Sequence, residues 1–383
     1  MEEKDIQIIK ELTVFKKFCR NKLALVGLIF IVIVTLIAIL GYIITPDDSP
    51  YSNRQCLEIA AKKPGFKISF FKKPISDNNI KVSFPEKLFK GQPSNFEYLP
   101  VDTYYFETNN FVIRQYSEPP DNSFIKKYPI NQLIKNSNNI TSNTKSIILS
   151  SYIVNSKFIL GTDRFGRDLL SRLIIGARIS LSVGFIAVLI SLIIGIFLGV
   201  LAGYYRGWID SAVMWIVNVT WSVPTLLMVI SITMVLGKGF WQIFIAVGLT
   251  MWVEVARLVR GQVLSVREKD YIEACRALGF SNFRIITKHI IPNIFGPVII
   301  IAAANFASAI LIEAGLSFLG AGVQPPVPSW GNMIKDHYGY IMLDKAYLAV
   351  IPGMAIMLLV LAFTFVGNGL RDAFDARSMP LQG

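Results

Sequence analysis

A charged stretch, EACRALGFSNFRIITKHIIPN at residues 273–293, separates two long apolar runs of the chain. Charged side chains in its first half are Glu273 and Arg276. Between and after them stand three small residues, Ala274, Cys275 and Ala277. Small residues on a helix allow another surface to approach closely, as they do wherever helices pack tightly. These residue types indicate contact with a partner surface, and the alternative interpretation is a linker without a partner.

The same stretch predicts two helices with a break between them. Leu278 and Gly279 follow the small residues, and glycine commonly ends a helix because it adopts the left-handed conformation without strain. The run FRIITKHII then predicts a second helix. Pro292 suits the start of a new helix, where its missing N–H costs nothing. The predicted form is a helix, a break and a second helix that leads into an apolar run.

The chain offers little for catalysis. Its only histidines are His289 and His337, and it contains no HExxH, CxxC or GxSxG motif. The phosphate-binding loop GxxxxGKS/T is also absent from the sequence. We therefore predict a non-catalytic protein that binds no metal ion or cofactor and does not hydrolyse ATP by that route.

The composition is that of an integral membrane protein, with 53% hydrophobic and 17% charged residues and a mean hydropathy of +0.50. A helix needs roughly 20 apolar residues to cross a bilayer core about 30 Å thick. Six segments meet this requirement, at about 23–45, 179–203, 212–236, 240–259, 294–319 and 347–369. The predicted fold class is mainly α, a polytopic membrane protein with six transmembrane helices.

The formal net charge of +12 reflects Lys and Arg near the ends of the apolar segments. One cluster precedes the first segment and another occupies residues 257–288. Short loops rich in Lys and Arg stay in the cytoplasm, whereas long loops are translocated largely regardless of charge. We therefore predict that both termini and the loop at 260–292 are cytoplasmic and that residues 46–157 lie outside. Nucleic acid is not a predicted partner.

The chain divides into five regions. They are the N-terminus with the first membrane anchor (1–45), an extracytoplasmic insertion (46–157), an amphipathic interfacial segment (158–178), a five-helix core (176–372) and a cytoplasmic tail (373–383). Patches of the insertion such as FKISFF, NIKVSF, VDTYYFETNNFVIRQY and SIILSSYIV are rich in aromatic and β-branched residues, which favour strands. The insertion is predicted to contain β-structure, the alternative being a partly disordered loop rich in Lys and Asn.

Polar residues beside or inside the apolar segments are the remaining candidates. The run LGTDRFGRDLLSRLIIGARIS at 160–180 interleaves Asp163 and Asp168 with four arginines. It predicts a salt-bridged helix on the membrane surface, the alternative being a role in guiding substrate. Glu313 lies within the fifth apolar segment, where a carboxyl group marks either a substrate contact or a hydrogen-bonded packing group inside the bundle.

Several runs of the chain, in order, resemble one family. Glu273, Ala274, Gly279 and Pro292 resemble the EAA loop of the membrane subunits of ATP-binding-cassette (ABC) importers, with Cys275 where a second Ala is usual. The runs NKLALVGLIF, LGTDRFGRDLLSRLIIGARISLSVGF, EAGLSFLGAGVQPPVPSWGNMI and VGNGLRDAFDARS resemble the C-type permease subunit of oligopeptide and dipeptide importers. In the last run, Asn368 replaces a more usual Asp. The resemblance covers residues 15–45 and 158–378, and it leaves out the insertion.

The resemblance implies a type I ABC importer permease fold in a bacterial inner membrane. In this family two related permeases form a heterodimer around a central path, and two cytoplasmic ATPases use ATP and Mg. An extracytoplasmic peptide-binding protein delivers the peptide. The loop at 265–292 would carry the coupling helix that docks in a groove of one ATPase. Its docking residues would be Glu273, Ala274, Cys275, Arg276, Ala277, Leu278 and Gly279, in a loop that closes at Pro292.

Two other functions stay open on the residues alone. A membrane-anchored receptor or enzyme subunit would use the insertion as its working domain, but it would leave the charged loop unexplained. A secondary transporter would need internal repeats or a relay of ionisable groups within the membrane. No repeat is evident in the sequence, and the few embedded charges, Glu313 among them, form no such relay. Within the importer family, oligopeptide is the predicted substrate, with dipeptide, nickel chelates and other small solutes as alternatives. The insertion is a candidate dock for the binding protein.

Overall fold

The computed structural model of the protein describes residues 14–75, 82–118, 124–133, 142–237 and 239–374. The N-terminus before residue 14 and the tail after residue 374, both predicted to be cytoplasmic, lie outside these residues. Residues 79–81 of the predicted strand NIKVSF also lie outside them.

The α-helices follow one another as α1 Lys22–Ile44, α2 Phe84–Lys90, α3 Ile130–Leu133, α4 Ser142–Tyr152, α5 Leu169–Tyr205, α6 Gly207–Trp221, α7 Thr225–Leu236, α8 Phe240–Arg267, α9 Asp270–Ala277, α10 Asn282–Ile285, α11 Ile291–Phe318, α12 Trp330–His337 and α13 Tyr347–Phe374. Residues 14–20 are also helical. Short 3₁₀ helices lie at Pro50–Ser52, Leu57–Ile59 and Tyr338–Leu343, and a π-turn lies at Ile286–Ile290. Within the described residues, five continuous segments can cross a membrane: α1, α5, α8, α13 and Asn282–Phe318, which ends in α11.

The third predicted segment is bent, which corrects the expectation of one helix over 212–236. Helices α6 and α7 meet at an angle of 92° across a break of three residues, Ser222 to Pro224. Proline has no N–H to donate and disfavours helical backbone at the residue before it, here Val223. The chain therefore breaks at the proline.

The packing of α5 against α8 shows that the bent pair still crosses the membrane. The contacts advance together along both helices, from Gly195 with Val255, through Gly199 with Val259, to Gly203 with Val263. A Cβ atom at Gly195 would lie 2.5 Å from Val255 Cβ, so the glycines permit this close approach. The two helices run parallel, and the chain between them must return across the bilayer. Together, α6 and α7 make the sixth crossing.

Contacts among the other spans are antiparallel and define two ends of the bundle. Near the start of α1, Asn21 Nδ2 donates to Asp372 Oδ2 of α13 at 3.2 Å. Gly296 of α11 packs against Phe374 at the far end of α13. We call the end that holds Asn21, Gly296 and Phe374 the loop end, because residues 268–281 also lie there. The opposite end, from which the insertion projects, is the insertion end.

The insertion contains a five-stranded antiparallel sheet, as the sequence predicted for this region. Its strands are β1 Phe66–Pro74, β2 Phe96–Glu107, β3 Asn110–Gln115, β4 Ile125–Pro129 and β5 Ile153–Phe158. They lie in the order β4-β3-β2-β1-β5. Helix α4 covers one face of the sheet, where Ile148 is buried with Phe71 of β1 and Phe111 of β3.

Two local predictions differ from the structure. The patch SIILSSYIV is helical up to Tyr152, and only Ile153 and Val154 belong to a strand. Tertiary packing overrides the strand preference of its β-branched residues, because Thr144 and Ile148 are buried one helical turn apart. In the predicted strand NIKVSF, Phe84 begins helix α2 instead, with Pro85 in its first turn.

The segment predicted to lie as a separate helix on the membrane surface is instead a loop followed by the start of α5. The helix begins at Leu169 and continues unbroken to Tyr205. Asp168 caps it by accepting from the Ser171 N–H at 2.9 Å. The loop before it is salt-bridged, with Arg167 Nε 2.6 Å and Arg172 Nε 3.6 Å from Asp163 Oδ2. All three of these charged side chains are buried, so the segment is part of the protein interior.

Candidate functional site

Helix α9, at the loop end, carries acidic residues in its first turn and a basic residue in its last turn. Asp270 and Glu273 lie in its first turn and Arg276 in its last. Acidic groups near the positive N-terminal end and basic groups near the negative C-terminal end of a helix are each stabilising. The charged residues of α9 therefore stabilise the short helix at both of its ends.

Gly279 ends α9 in a Schellman motif. The Phe280 N–H donates to the Cys275 carbonyl at 3.0 Å, and the Gly279 N–H donates to the Arg276 carbonyl at 2.9 Å. Gly279 has φ of +75°, the left-handed conformation that this motif requires. Ser281 then caps the next helix by accepting from the Arg284 N–H at 3.4 Å. The helix, break and second helix expected from the sequence are all present.

The two faces of α9 have different roles. Ile272 and Cys275 point into the bundle and pack with Val263 of α8 and with Ile285 and Ile290 beyond the break. The other predicted docking residues are exposed, namely Glu273, Ala274, Arg276, Ala277, Leu278 and Gly279. Cys275 differs from the prediction because it is only 9% exposed. Its small side chain serves packing within this chain and is unavailable to a partner.

Exposed apolar side chains form a stripe on the outer face of α9. Leu278 is 73% exposed and Tyr271 is 40% exposed, with Ala274 between them. Residues three and four positions apart lie on one face of a helix, so Tyr271, Ala274 and Leu278 are neighbours. Phe283, 77% exposed just after the break, adds a second large apolar group. Tyr271 and Phe283 were missed in the sequence, although the spacing of Tyr271 from Ala274 and Leu278 could have identified the first.

Several charged side chains of the loop already have partners within the chain. Arg206 pairs with Glu268, and Arg284 Cζ lies 4.3 Å from the centre of the Phe280 ring. Arg276 Cζ lies 5.6 Å from the centre of the Tyr204 ring. In the described part of the chain, Glu273 forms no ion pair. Glu273 therefore presents an exposed carboxylate on α9, as does Asp270 in the same first turn.

The second helix is anchored to the end of α5, and Pro292 lies in the first turn of α11. Tyr204 Oη donates to Asn282 Oδ1 at 2.7 Å. The backbone stays helical from Asn282 to Phe318, and Pro292 lies in the first turn of α11, as the sequence predicted. A π-turn at Ile286–Ile290 directly precedes it. The wider turn accommodates a residue that cannot donate to the preceding turn.

Glu313 is buried and hydrogen-bonded inside the helical bundle. It is fully buried in α11 and accepts from Ser317 Oγ at 2.7 Å. Ser180 Oγ of α5 donates to the other carboxylate oxygen of Glu313 at 3.4 Å. Ser329, which caps α12, donates to Ser317 Oγ at 3.3 Å. The carboxyl group thereby joins three helices near the insertion end, and this geometry favours packing over substrate contact.

Over the described residues, no three His, Cys, Asp or Glu side chains gather as a metal site requires. His289 stacks on Phe280 with ring centres 6.2 Å apart. His337 lies at the insertion end, where its Nε2 accepts from the Arg164 N–H at 3.3 Å. The arrangement at the loop end is suited to binding a protein surface.

Comparison with known proteins identifies the family. Residues 195–379 match the model of the binding-protein-dependent transport system inner membrane component. Residues 13–60 match the N-terminal TM domain of oligopeptide transport permease C. A dipeptide transport system permease protein of Alkalihalophilus pseudofirmus is 44% identical over 217 residues, which are 57% of this chain and 71% of that protein. The chain belongs to the binding-protein-dependent transport system inner membrane components.

Other relatives of this permease are close in sequence. The glutathione transport system permease protein of Pectobacterium atrosepticum is 39% identical over 218 residues, covering 57% of this chain and 72% of the relative. Its counterpart in Escherichia coli is 41% identical over 217 residues, covering 57% and 71%. A solved methionine ABC transporter, MetNI, overlaps with a TM-score of 0.46 at 22% identity, over 54% of this chain and 98% of that chain.

The family assignment confirms the resemblance to C-type permeases and the mainly helical membrane fold. The permease is a multi-pass membrane protein. The receptor and secondary-transporter alternatives are not favoured, because the matches are to importer permeases. The two family models leave residues 61–194 unmatched, a range that includes the sheet of the insertion.

Proposed function

We propose that this permease is one membrane subunit of an ABC importer for oligopeptides or dipeptides and forms half of the translocation path. Relatives named for dipeptide and for glutathione, itself a small peptide, support this substrate class. The ligand that copurifies with the extracytoplasmic binding protein, identified by mass spectrometry, tests it. Bound peptides are the expected result, whereas a nickel chelate or another small solute would contradict the peptide assignment.

In the proposed complex, the chain pairs with a second, related permease as a heterodimer and contacts two ATPases at its loop end. These ATPases bind ATP and Mg and carry out the hydrolysis. The loop end is then cytoplasmic, and the insertion end faces the peptide-binding protein. The Lys and Arg residues of the short loops at the loop end support this orientation.

The observation that carries the proposal is the exposed apolar stripe of α9 beside the exposed carboxylate of Glu273. An exposed apolar stripe rimmed by charge is typical of a protein interaction site. The opposite face of α9 is anchored by Ile272, so the helix can transmit force to the bundle. Shifting a two-state transporter from 1:99 to 99:1 takes about 5.5 kcal/mol. A docked, buried helix can transmit work on that scale more readily than a loose tether.

Charge reversal in α9 tests the docking role. Glu273→Lys should leave membrane insertion intact and uncouple ATP hydrolysis from peptide uptake, because it places a repelling charge in the proposed ATPase groove. ATP hydrolysis and uptake of a labelled peptide are measured on the complex in proteoliposomes. The matched control is Glu97→Lys, the same change at an exposed carboxylate of β2 that pairs with Lys73 at 3.0 Å. Normal coupled uptake by the Glu273→Lys complex would rule out the docking role.

A further inference from the structure

A cavity of about 460 Å³ lies where the first span meets the insertion. Its walls come from the last turn of α1 and the loop after it, from α2 and from the strands β1, β2 and β5. Its volume is within the range of about 300–1,000 Å³ that small-molecule sites occupy. Because α1 crosses the bilayer and ends at this cavity, the cavity lies at the depth of the lipid headgroups.

The charges that line the cavity are mainly positive. They are the cations of Arg54, Lys72 and Lys87 and the single carboxylate of Asp48. The Asp48 carboxylate forms ion pairs with two of these cations, with Lys87 Nζ at 3.1 Å and with Arg54 Nη2 at 3.8 Å. Within the described residues, Lys72 has no carboxylate partner, and its Nζ lies 5.8 Å from the centre of the Phe96 ring. The cavity therefore favours an anion.

Two buried polar atoms of the lining have no hydrogen-bond partner among the described residues, Thr45 Oγ1 and Arg54 Nε. Thr45 is only 7% exposed. Arg54 is held in place, with its Cζ 3.9 Å from the centre of the Tyr98 ring and its Nη2 3.3 Å from Asp47 Oδ1. Buried polar groups are nearly always hydrogen-bonded, so two unpaired ones in one cavity point to a ligand. Both atoms can donate to the oxygens of a phosphate group.

An apolar surface leads from the bilayer to the same cavity. Leu36, Ile39 and Ile43 are half-exposed on α1, and Ile43 itself lines the cavity. Their spacing of three and four positions places them on one face of the helix. On α2, Phe84 and Phe89 are strongly exposed, as are the apolar residues of helices that lie in the membrane interface. The surroundings suit an acyl chain beside α1.

We propose that this cavity binds the phosphate headgroup of an anionic phospholipid, whose acyl chain lies along α1. Arg54, Lys72 and Lys87 balance the phosphate charge, and the Thr45 hydroxyl and Arg54 Nε donate to its oxygens. The lipid would join α1, α2 and the sheet of the insertion at the bilayer surface. The inference goes beyond the proposed transport function and does not depend on which solute the importer carries.

The test uses the full-length chain with its copurified subunits, in detergent after removal of lipid. Micelles containing phosphatidylglycerol should raise the thermal unfolding midpoint, whereas the same amount of phosphatidylcholine should not. Inorganic phosphate alone should have little effect because it has no acyl chain. An equal effect of the two lipids, or an effect of inorganic phosphate as large as that of phosphatidylglycerol, would overturn the assignment.

Lysine variants identify the binding cavity. The pair Lys72→Gln and Lys87→Gln should weaken phosphatidylglycerol binding roughly thirtyfold, since each basic group near a membrane surface contributes about a factor of five to six. The control pair Lys73→Gln and Lys90→Gln removes the same charge from the neighbouring lysines, which pair with Glu97 and Glu86 at 3.0 Å and 3.3 Å. Equal losses in the two pairs would contradict the site.

The variant Thr45→Val keeps the proposal testable if the lysine variants fail to fold. It removes the unpaired hydroxyl while keeping the shape of the side chain, so the lipid-free protein should unfold at the same temperature or higher. Its affinity for phosphatidylglycerol should fall. Unchanged affinity would remove Thr45 from the proposed site and overturn the assignment of its hydroxyl to the phosphate.

Discussion

The charge cluster at the insertion end and helix α9 at the loop end differ in what they expose. At the insertion end, Asp163 is buried with Arg167 and Arg172, and all three are paired. At the loop end, Leu278 and Phe283 are exposed and the Glu273 carboxylate has no ion-pair partner among the described residues. The charge cluster at 163–172 is thus buried and paired, whereas the outer face of α9 exposes both apolar groups and a carboxylate.

The difference indicates which end is completed by a partner. The insertion is tied to the bundle by its own bonds, including Tyr347 Oη to the Lys62 carbonyl at 2.7 Å. Arg178 of α5 adds bonds to the carbonyls of Ala38 and Leu88 at 2.9 Å and 3.1 Å. The loop end has no comparable cover over α9 in the described chain. We infer that a partner protein covers it.

The largest effect is expected from breaking the charge cluster at the insertion end. Asp163→Ala would leave Arg167 and Arg172 buried without their counter-ion, at a cost of about 3–5 kcal/mol in unfolding free energy. The thermal unfolding midpoint of the purified complex measures this cost. Glu97→Ala, which removes the exposed partner of Lys73, is the control and should leave the midpoint nearly unchanged. Similar midpoints for the two variants would contradict the difference between the ends.

Within α9, the buried and exposed faces should respond differently to the same truncation. Ile272→Ala should cost about 2–5 kcal/mol because it leaves a cavity under the helix. Leu278→Ala should change stability by less than about 0.5 kcal/mol and yet reduce copurification of the ATPases. Thermal unfolding and the ratio of copurified subunits are measured side by side. Full recovery of ATPases with Leu278→Ala would show that the stripe is not the docking surface.

The turn after α9 should tolerate only residues that adopt left-handed backbone. Gly279→Trp should cost about 1–2 kcal/mol in strain and uncouple hydrolysis from uptake. Gly279→Asn keeps the turn, because Asn adopts this conformation more readily, and it should retain coupling. Apart from its neighbours in sequence, no described atom lies within 4 Å of a Cβ built at Gly279, so the first carbon of either side chain fits at this position. Equal coupling in the two variants would refute a role for the turn geometry.

The smallest effect is a pH dependence at the insertion end. Burial lowers the pKa of His337 below its ordinary value of 6.5. Its Nδ1–H donates to the Met333 carbonyl at 2.7 Å, and its Nε2 accepts from Arg164, which requires the neutral ring. Since the unfolded state binds the proton more readily, this stability is present above about pH 6.5 and is lost as the pH falls towards the folded pKa.

The variant His337→Gln isolates the contribution of His337 to the pH dependence of stability. Between about pH 7.5 and 5.5, the unfolding midpoint should fall more in the unmodified protein than in the variant. A parallel decline in both proteins would assign the pH dependence to other groups.

Much of the candidate site could be read from local sequence. Gly279 predicted the break in the loop because few other residues adopt its backbone conformation. The exposed placement of Glu273, Arg276 and Leu278 agreed with a docking helix, whereas the inward placement of Cys275 did not follow from its size. Which small residue turns inward depends on Val263 and on residues beyond the break, which are distant in sequence.

The sequence by itself determined the membrane class and the apolar segments, because a bilayer of given thickness requires about 20 apolar residues for each crossing. Only the tertiary structure decided that the glycines of α5 pack against the valines of α8, that SIILSSY forms a helix and that Asp163 is buried between two arginines. Composition limits which segments can enter lipid, since every backbone polar group there must be paired locally. Packing between segments that are distant in sequence decides the other features, because its energy depends on neighbouring residues that no local sequence pattern contains.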